Sequence, residues 1–501
     1  MRQLHAVLVA LLVITSAQVA HASPLLELTG GFGGMGGLQA RHTGASAASS
    51  YFNPALLTSA RTGLNVGFLV LNTNIGVRVA ARNPENVVPA GIDNAFHEDG
   101  SAIDTKPVAT DLLQNGRAAD ANNAYLPPRP RQHGGSGDQT LTYGSVGLVL
   151  KLFKERLALG IYGLIPLKNF TTMSSFYVDE REQYMTNSLH PEMYGDRLTA
   201  ISFAFAAGIR LTDTLSIGGG ATLGLYAYAG APVYVADAGK LTDLDLNINV
   251  RAKISLTPHL GIAWNPGKRW HLSGTVHAPQ KLDVESDFKF LLGGNEQGSG
   301  ISFTYFYQPW QASAGLGYDF YVDGDQTWSV SGLAHYQRWS TYIDRQSVRP
   351  GGAYEWFDTL SGSAGLRVKS GPISLGVDGQ YKPSPVPQQT GRSNYVDNDR
   401  IGGTLSAQYD FQIAEIDMAL GLQLQLYRLL ERSVKKIPPP VGADGVVRTP
   451  QLVVDELPDD ARVGRNPAPG REGLQTNNPG WPGYSSRGWV SSGGIYLSVF
   501  L

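Results

Sequence analysis

An eleven-residue stretch near the C-terminus alternates strictly between large apolar side chains and small or polar ones. The apolar positions are Ile416, Met418, Leu420, Leu422, Leu424 and Leu426. Because a strand turns successive side chains to opposite faces, one face of this segment is continuous hydrocarbon. At about 3.3 Å per residue the segment is about 36 Å long, and a tilt near 45° reduces its height to about 25 Å. That is the height of the lipid-facing band of an outer-membrane barrel, whereas a soluble sandwich strand usually ends after about 5–6 residues.

The composition narrows the class of protein further. The chain has 501 residues, a formal net charge of -2 and no cysteine. Near-neutrality gives no reason to expect a nucleic-acid partner, and the absence of cysteine excludes disulfides and thiolate metal sites. Sixty glycines and an aromatic content of 10% are typical of many strands, tight turns and interfacial aromatic girdles.

The first 22 residues have the pattern of a cleavable signal peptide. Arg2 and His5 precede an apolar run from Ala6 to Ile14, and Ala20–Ala22 has the small-x-small form of a cleavage site. The alternative, an N-terminal membrane anchor, is disfavoured because the apolar core is too short to span a bilayer. After residue 22 no apolar segment reaches the roughly 18 residues that a membrane helix needs. We therefore expect an exported protein that lies in the outer membrane as strands.

The rest of the chain reads as about fourteen period-2 segments. They lie near 62–80, 140–152, 156–165, 197–211, 214–229, 247–264, 269–278, 302–320, 327–342, 357–369, 372–382, 400–411, 413–428 and 489–501. Tight connections near 153–155, 212–213, 265–268, 323–326, 370–371 and 412 alternate with long ones at 81–139, 166–196, 230–246, 279–301, 343–356, 383–399 and 429–488. Outer-membrane barrels keep short turns in the periplasm and long loops outside. The pattern predicts an all-β fold: a transmembrane antiparallel up-and-down β-barrel over residues 61–501.

Motifs that would indicate an enzyme lack their structural context. Gly31–Gly36 matches the dinucleotide pattern G-x-G-x-x-G, but no strand pattern precedes it after the signal peptide and no helix pattern follows it. The ten histidines are scattered, and Ser363 and similar serines lie inside strand patterns. We therefore expect no catalytic residues, no metal and no cofactor.

The segment 23–60 differs from the strands that follow it. It is rich in small residues, has weak periodicity, and carries a Tyr51–Leu57 cluster. A disordered periplasmic tail would be more polar. We interpret it as a hatch, or plug, inside the barrel lumen.

Two stretches resemble the long-chain fatty acid transporter family of outer-membrane proteins, the FadL group, which also contains aromatic-hydrocarbon channels. The sequence Asn53, Pro54, Ala55 after a Gly/Ala/Ser-rich run resembles that family's hatch motif. Ser384, Pro385, Val386 and Pro387, followed by Asp397, Asp399 and Arg400 at the start of a strand, resemble its late extracellular loop. The long first and last loops depart from the family pattern, and the chain ends on Leu501 with the usual terminal aromatic one position earlier.

The resemblance implies a fourteen-stranded barrel with an N-terminal hatch. Hydrophobic ligand would be captured at the outer loops and leave sideways through a gap beside a kinked strand. Strand kinks need glycine, proline or a bulge, so Gly160, Gly163 and Pro166 of the third strand are the candidates for this gap. The alternative, that Pro166 only ends the strand, stays open.

We therefore expect passive uptake of hydrophobic small molecules, with long-chain fatty acids the leading class. The expected partners are such a ligand, outer-membrane lipid and the barrel-assembly machinery, with no nucleic acid and a monomeric state. The rivals are a general diffusion porin, an outer-membrane lipid hydrolase, and an adhesive barrel that binds a partner through its loops.

Overall fold

The computed structural model describes the chain in several stretches. They are residues 24–79, 139–167, 191, 193–194, 198, 201–230, 233–235, 244–246, 249–292, 295–344, 347–390, 395–436 and 483–501. The predicted signal peptide lies outside them, as do nearly all of the predicted loop 81–139 and most of the predicted loop 429–488. In these stretches no helix has the length and apolar character needed to cross a membrane.

Fourteen antiparallel strands of the described chain close into one barrel. They are β1 (Gly63–Val79), β2 (Gln139–Leu152), β3 (Leu157–Pro166), β4 (Ile201–Arg210), β5 (Leu215–Gly230), β8 (Asn249–Trp264), β9 (Trp270–His277), β12 (Gln311–Asp323), β13 (Gln326–Gln337), β14 (Thr359–Ser370), β15 (Ile373–Lys382), β16 (Arg400–Ile413), β17 (Ile416–Lys435) and β18 (Gly483–Phe500). Each strand pairs with the next barrel strand along the chain, and β1 pairs with β18 from Gly63↔Phe500 to Val79↔Tyr484. The predicted up-and-down barrel of about fourteen strands is confirmed.

Two hairpins, one of them short, stand apart from the barrel sheet. They are β6 (Val233–Val235) with β7 (Leu244–Leu246), and β10 (Gln280–Leu292) with β11 (Asn295–Gln308). The predictions of loops at 230–246 and 279–301 are therefore wrong where these strands form. In the sequence, Gly293–Gly294 is a two-residue hairpin signal that the strand prediction did not use.

The predicted strand 302–320 is also wrong, because the chain changes sheets within it. Pro309 lies between β11 and β12 and has no N–H to donate to a ladder. The chain leaves the β10 ladder at Gln308 and enters the barrel at Gln311.

The predicted last loop is shorter than 429–488, since β17 continues to Lys435 and β18 begins at Gly483. The predicted strand 327–342 ends at Gln337, before a 3-10 helix at Trp339–Thr341.

The tight connections form one end of the barrel, the short-turn end. Between β16 and β17 only Ala414 and Glu415 intervene, and both have positive φ, of 48° and 69°. Two consecutive positive φ values are typical of the hairpin turn whose twist matches that of its strands. The N-terminus of β1 and the C-terminus of β18 lie at this same end. The opposite, long-loop end carries the two hairpins and the stretches 383–390 and 395–399.

The outward faces of the strands form an apolar band. On β17, Leu420 and Leu426 are about half exposed, while Ala419 and Gln423, at alternate positions, are buried on the inside. Exposed aromatic side chains border the band at both ends. Those toward the short turns are Trp264, Trp270, Phe320, Tyr321, Trp328 and Tyr409, and those toward the long loops are Trp310, Phe357, Tyr381 and Trp489. Such paired girdles are typical of membrane barrels.

The N-terminal segment forms short helices before the first strand. They are α1 (Pro24–Thr29), α2 (Ala40–Thr43), α3 (Ser49–Phe52) and a 3-10 helix at Pro54–Ser59. Leu26, Tyr51 and Leu57 of this segment have no exposed surface. A further 3-10 helix, Gly352–Tyr354, lies between β13 and β14.

Candidate functional site

The N-terminal segment, residues 24–60, contacts strands on several sides of the barrel lumen. The Gln39 side-chain amide donates to the Ser363 hydroxyl of β14 at 2.8 Å. Gln425 of β17 donates to the Leu28 carbonyl at 2.9 Å. On another side, the Arg210 guanidinium of β4 donates to the Thr58 carbonyl at 2.6 Å. Since β4, β14 and β17 are well separated around the closed sheet, the segment crosses the lumen between them.

The motif Asn53–Pro54–Ala55 anchors this segment to the wall. The Asn53 side-chain carbonyl accepts from the Ala55 backbone N–H at 3.2 Å, which caps the 3-10 helix. Its amide group donates to the Arg41 carbonyl at 3.0 Å and to the Ile262 carbonyl of β8 at 3.2 Å. Pro54 occupies the first turn of the 3-10 helix, where its missing N–H leaves no partner unsatisfied. One fully buried asparagine thus joins two helices and a barrel strand.

Two inward-facing glycines allow the motif to approach the wall. A Cβ on Gly261 of β8 would lie 2.1 Å from the Asn53 side-chain oxygen. A Cβ on Gly218 of β5 would lie 2.4 Å from the Pro54 carbonyl carbon. Any side chain at either position would displace the 3-10 helix, since real Cβ contacts are never this short.

A buried ion pair lies at the centre of the segment. The Arg41 guanidinium contacts the Glu27 carboxylate, which also accepts from the Tyr51 hydroxyl, and both charged side chains are under 8% exposed. Burial, the largest single effect, would raise the pKa of Glu27, but the charges of Arg41, His335 and Lys382 and the Tyr51 hydrogen bond together outweigh it, and the pKa falls to about 2. The charge on α1 is therefore compensated within the segment.

One wall of the lumen is apolar. In the halves of β1, β2 and β3 toward the long loops, most inward residues are large, hydrophobic and buried, and they form one cluster with the leucines of α1. The strand residues are Leu69, Leu71, Ile75, Leu141, Tyr143, Tyr162 and Leu164, and those of α1 are Leu25, Leu26 and Leu28. Water-filled channels carry a polar interior instead. We call this surface the apolar wall.

The facing wall, on β8 to β14, is polar. Its inward residues include a row that the strand register places side by side across five strands. The row is His259, His277, Gln311, Gln337 and Thr359, all 5% exposed or less. The imidazoles of His259 and His277 stack at 4.9 Å, and the Tyr51 ring lies 4.8 Å from His277. The lumen therefore has one apolar side and one side lined by hydrogen-bonding groups.

An aromatic cluster lies on the polar side, toward the long loops. The rings of Tyr342 and Trp356 stack at a centroid distance of 3.6 Å, with Trp339 5.5 Å from Trp356. Tyr307 and Val386 complete the cluster, which is buried under 10% exposure throughout. The sequence analysis did not find this group because its members come from four separate segments.

The loop that resembles the family pattern lies beside this cluster and is held by Arg432 of β17. The guanidinium donates to the Val386 carbonyl at 2.6 Å, the Ser384 hydroxyl at 3.1 Å and the Asp397 carbonyl at 3.2 Å. A register shift in β17 between Leu429 and Arg432 accompanies this arrangement. The sequence motif therefore has a structural counterpart, whose central cation was not predicted.

The remaining motif residues also interact in this loop. Asp399 accepts from the Ser384 N–H at 2.8 Å and from the Tyr381 hydroxyl at 2.7 Å. Burial raises the pKa of Asp397, although the Ser384 side chain and Arg400 oppose that shift. The remaining contacts are made by backbone carbonyls: Pro385 accepts from the Phe357 N–H, and Pro387 from the Gln389 side chain.

The candidate lateral-gap residues lie on β3, whose described pairing is continuous. All ten residues of β3 pair with β2, and Leu157–Leu164 pair with β4 without a register shift. Gly160 faces inward, where a Cβ would lie 2.3 Å from the Ser50 hydroxyl. Gly163 faces outward beneath the Phe203 ring, and a Cβ on Gly163 would lie 2.4 Å from a carbon of that ring. A role for these residues and Pro166 in a lateral gap stays a prediction.

A cavity of about 570 Å³ lies on the short-turn side of the N-terminal segment. Its lining includes His42, Arg61, His271 and Arg367. Burial lowers the pKa of His42 to about 4, and its ring lies 2.9 Å from the Ser273 hydroxyl. The segment thus separates this cavity from the apolar wall.

One serine–histidine pair lies in the polar wall. The Ser313 hydroxyl is 2.7 Å from Nδ1 of His335, and Nε2 of that ring is 3.7 Å from Glu27. Glu27 is already engaged by Arg41 and Tyr51, so it does not orient the imidazole as a triad acid does. Among the described residues no group of three or more histidines and carboxylates has the geometry to hold a metal ion.

No protein-family model and no curated protein sequence matches the chain. Solved structures do show similarity. A FadL homologue of Pseudomonas aeruginosa has 14% identity and a TM-score of 0.49, covering 90% of this chain and 93% of that one. The P. putida toluene transporter TodX has 12% identity and a TM-score of 0.47, covering 94% and 99%. The Ralstonia pickettii toluene transporter TbuX has 11% identity and a TM-score of 0.42, covering 97% and 100%. The FadL group that the sequence resembles is thus also represented among these structures.

Proposed function

We propose that this protein is an outer-membrane channel for the passive uptake of hydrophobic small molecules, with long-chain fatty acids as the leading class. The observation that carries the proposal is the apolar wall on β1, β2 and β3, buried in the lumen on the long-loop side of the N-terminal segment. A porin for water-soluble solutes has no use for such a surface. The outward apolar band and the two aromatic girdles support the outer-membrane location.

The proposed route begins at the long loops. The aromatic cluster around Trp356 offers a flat apolar surface for capture, and the apolar wall continues inward from that end of the barrel. An alkyl chain that moves from water onto this surface gains about 0.8 kcal/mol per methylene group. Release into the membrane then needs no energy source, because the acyl chain exchanges the apolar wall of the lumen for the hydrocarbon of the bilayer. The residues 23–60 serve as the hatch that keeps the lumen closed to water.

We propose that the ligand leaves sideways at β3 and β4. The chain has no cysteine, so a cross-link can be introduced without interference. Ile161 and Phe205 are directly paired on the outward face, which places their Cα atoms about 4.5–5.5 Å apart, within disulfide range. The variant Ile161→Cys/Phe205→Cys should lose oleate uptake when oxidised and regain it when reduced.

A matched cross-link controls for general stiffening of the sheet. Ala334 and Gly362 are paired outward residues of β13 and β14, and nothing lies within 4 Å of a Cβ at Gly362. Ala334→Cys/Gly362→Cys should transport normally in both redox states. Undiminished uptake by the oxidised β3–β4 variant would rule out an exit at this strand pair.

Uptake into proteoliposomes tests the proposed function itself. Vesicles that carry the purified protein are given labelled oleate and labelled sucrose together, and protein-free vesicles supply the background. The proposal predicts protein-dependent entry of oleate and none of sucrose. Entry of sucrose without oleate would replace the proposal with a general diffusion porin.

The Ser313–His335 contact favours a second candidate, a lipid hydrolase. A hydrolase would turn over phospholipid in the same vesicles, and Ser313→Ala would abolish that turnover. We place the hydrolase second because the Glu27 carboxylate already pairs with Arg41 and so does not orient His335, whose Nδ1 faces the serine. Transport predicts that Ser313→Ala leaves oleate uptake unchanged and that no lipid is hydrolysed.

A further inference from the structure

The outer face of the barrel carries a group of basic side chains at its long-loop end. Its members are Arg78 of β1, Arg428 and Lys435 of β17, and Arg487 of β18, all of them exposed. In each strand an adjacent residue is buried on the inside, so these side chains point away from the lumen. We call the group the basic patch. With Glu431, which lies 3.6 Å from Arg487, its four cations and one carboxylate give a net formal charge of +3, against -2 for the whole chain.

The strand register brings the three arginines of the patch together. Arg428 pairs directly with Trp489, and Arg487 lies two residues further along β18. On the other side, Gly76 pairs directly with Arg487, and Arg78 lies two residues further along β1. Such diagonal neighbours are about 7–8 Å apart, within reach of long side chains. Among the described residues, a Cβ on Gly76 would have one neighbour within 4 Å, the Arg487 carbonyl oxygen at 3.6 Å, so the surface beside Arg487 is open.

The protein itself does little to neutralise these charges. The Arg487 and Glu431 side chains are 75% and 55% exposed, and ion pairs in such positions contribute little. The Arg428 guanidinium lies 5.8 Å from the centre of an indole ring and has no carboxylate partner among the described residues. Arg78 and Lys435 likewise form no ion pair with the part of the chain that the structure describes. The patch is therefore available to an anion from outside the chain.

The patch lies at the height of the lipid head groups. Trp489 belongs to the aromatic girdle on the long-loop side, and such girdles mark the interface between membrane and water. On the membrane side of this tryptophan, the outward residues of β17 over 422–426 are leucines. On its other side follow the basic patch and the directly paired Ser433 and Ser485. A lipid with acyl chains below a phosphorylated, hydroxyl-rich head group matches this order of surfaces.

Other parts of the same rim carry negative charge. Asp358, which precedes β14, accepts from the Tyr336 hydroxyl at 2.6 Å. Asp399, which precedes β16, accepts from the Tyr381 hydroxyl at 2.7 Å. A phosphate group placed beside either carboxylate would be repelled. Charge complementarity to phosphate therefore favours the side of the barrel formed by β17, β18 and β1.

We propose that the basic patch and the leucines below it bind a phosphorylated glycolipid of the outer leaflet, the lipid A part of lipopolysaccharide. Guanidinium groups bind phosphate oxygens through pairs of charge-assisted hydrogen bonds, and the two phosphates of lipid A engage more than one arginine. The acyl chains lie on the leucines of β17. This surface is separate from the uptake route, but the proposal rests on the outer-membrane location and on long loops that face outward.

Native mass spectrometry of the full-length protein in detergent measures this binding. The protein is titrated with bisphosphorylated lipid A and, in a parallel series, with phosphatidylglycerol. The wild type should bind lipid A more tightly than phosphatidylglycerol. The triple variant Arg78→Gln/Arg428→Gln/Arg487→Gln should bind lipid A about a hundredfold more weakly, because each basic residue near an anionic lipid surface contributes about fivefold to affinity. Arg78→Lys/Arg428→Lys/Arg487→Lys keeps the charges and should keep most of the affinity.

A second triple variant is the matched control for net charge. Lys154→Gln/Lys268→Gln/Arg269→Gln removes three cations from exposed positions at the short-turn end. It should bind lipid A as the wild type does. An equal loss of affinity in this control would mean that overall charge governs the binding, and the proposal would be wrong.

Three further results would overturn the proposal. The first is undiminished lipid A binding by the triple glutamine variant of the patch. The second is phosphatidylglycerol binding that is as tight and as sensitive to these substitutions, which would indicate a site for any anionic lipid. The third is displacement of lipid A by inorganic phosphate, which would indicate a site for a free anion.

Oleate uptake by the same preparations separates this proposal from the proposed function. Uptake should be equal in the wild type and in the triple glutamine variant of the patch, because the three arginines face away from the lumen. Absence of uptake in all preparations, with lipid A binding as expected, would refute transport and leave the lipid-binding surface intact.

Discussion

Replacing Asn53 with alanine should loosen the N-terminal segment without disturbing the barrel. The substitution removes the cap on the Ala55 N–H and two donated bonds, to the carbonyls of Arg41 and Ile262. A lost cap costs about 1 kcal/mol, and each buried hydrogen bond about 0.5–1.5 kcal/mol. The sum is about 3 kcal/mol, which corresponds to about a hundredfold change in the opening equilibrium of the segment.

Amide hydrogen exchange of the protein in lipid nanodiscs measures this change. The amides of residues 41–58 should exchange about a hundredfold faster in Asn53→Ala, because exchange reports the free energy of local opening. Strand amides should keep wild-type rates. Asn72→Ala is the matched control, since Asn72 of β1 makes one exposed hydrogen bond, to Thr140 of β2. An unchanged rate at residues 41–58 in Asn53→Ala would refute the anchoring role of this asparagine.

Three further perturbations test separate parts of the structure. Gly261→Ala should also speed exchange at 53–58, because its Cβ would overlap the Asn53 side chain, whereas Gly362→Ala, with open space around it, should not. Glu27→Gln should lower the thermal midpoint at neutral pH. The pKa of Glu27 falls from 4.5 to about 2 on folding, so the difference in thermal midpoint between Glu27→Gln and wild type should be complete above pH 4.5 and vanish as the pH approaches 2. A difference in thermal midpoint that does not change with pH would contradict this reasoning. Arg432→Met should raise exchange at 384–390 and lower oleate uptake, because it removes three hydrogen bonds to that loop; unchanged exchange would argue against the clamp.

The barrel was predictable because each strand shows its two faces in the order of its own residues. Strict alternation along Ile416–Leu426 reports a strand with one face in hydrocarbon, whatever lies beside it. The alternation of tight and long connections then orders the strands, since every second hairpin lies on the same side. The error at 302–320 arose where a period-2 pattern continued through Pro309 while the chain changed sheets.

The lumen was less predictable because its groups meet across the barrel. Asn53 had a recognisable pattern, yet its bond to Ile262 spans more than 200 residues. Nothing near Arg432 in the sequence indicates that it holds the Ser384–Pro387 loop. The polar row left a weaker signal, namely glutamine and histidine at inward positions near the long-loop ends of neighbouring strands. That signal becomes readable only when the register places the residues side by side.

Conductance across a planar bilayer tests most directly the claim that the N-terminal segment closes this barrel to water. The intact protein should show almost no steady ion current, and Asn53→Ala should add brief openings. Removal of residues 23–60 should produce a large, persistent conductance. A steady porin-like current through the intact protein, or a conductance that is the same with and without these residues, would contradict the account.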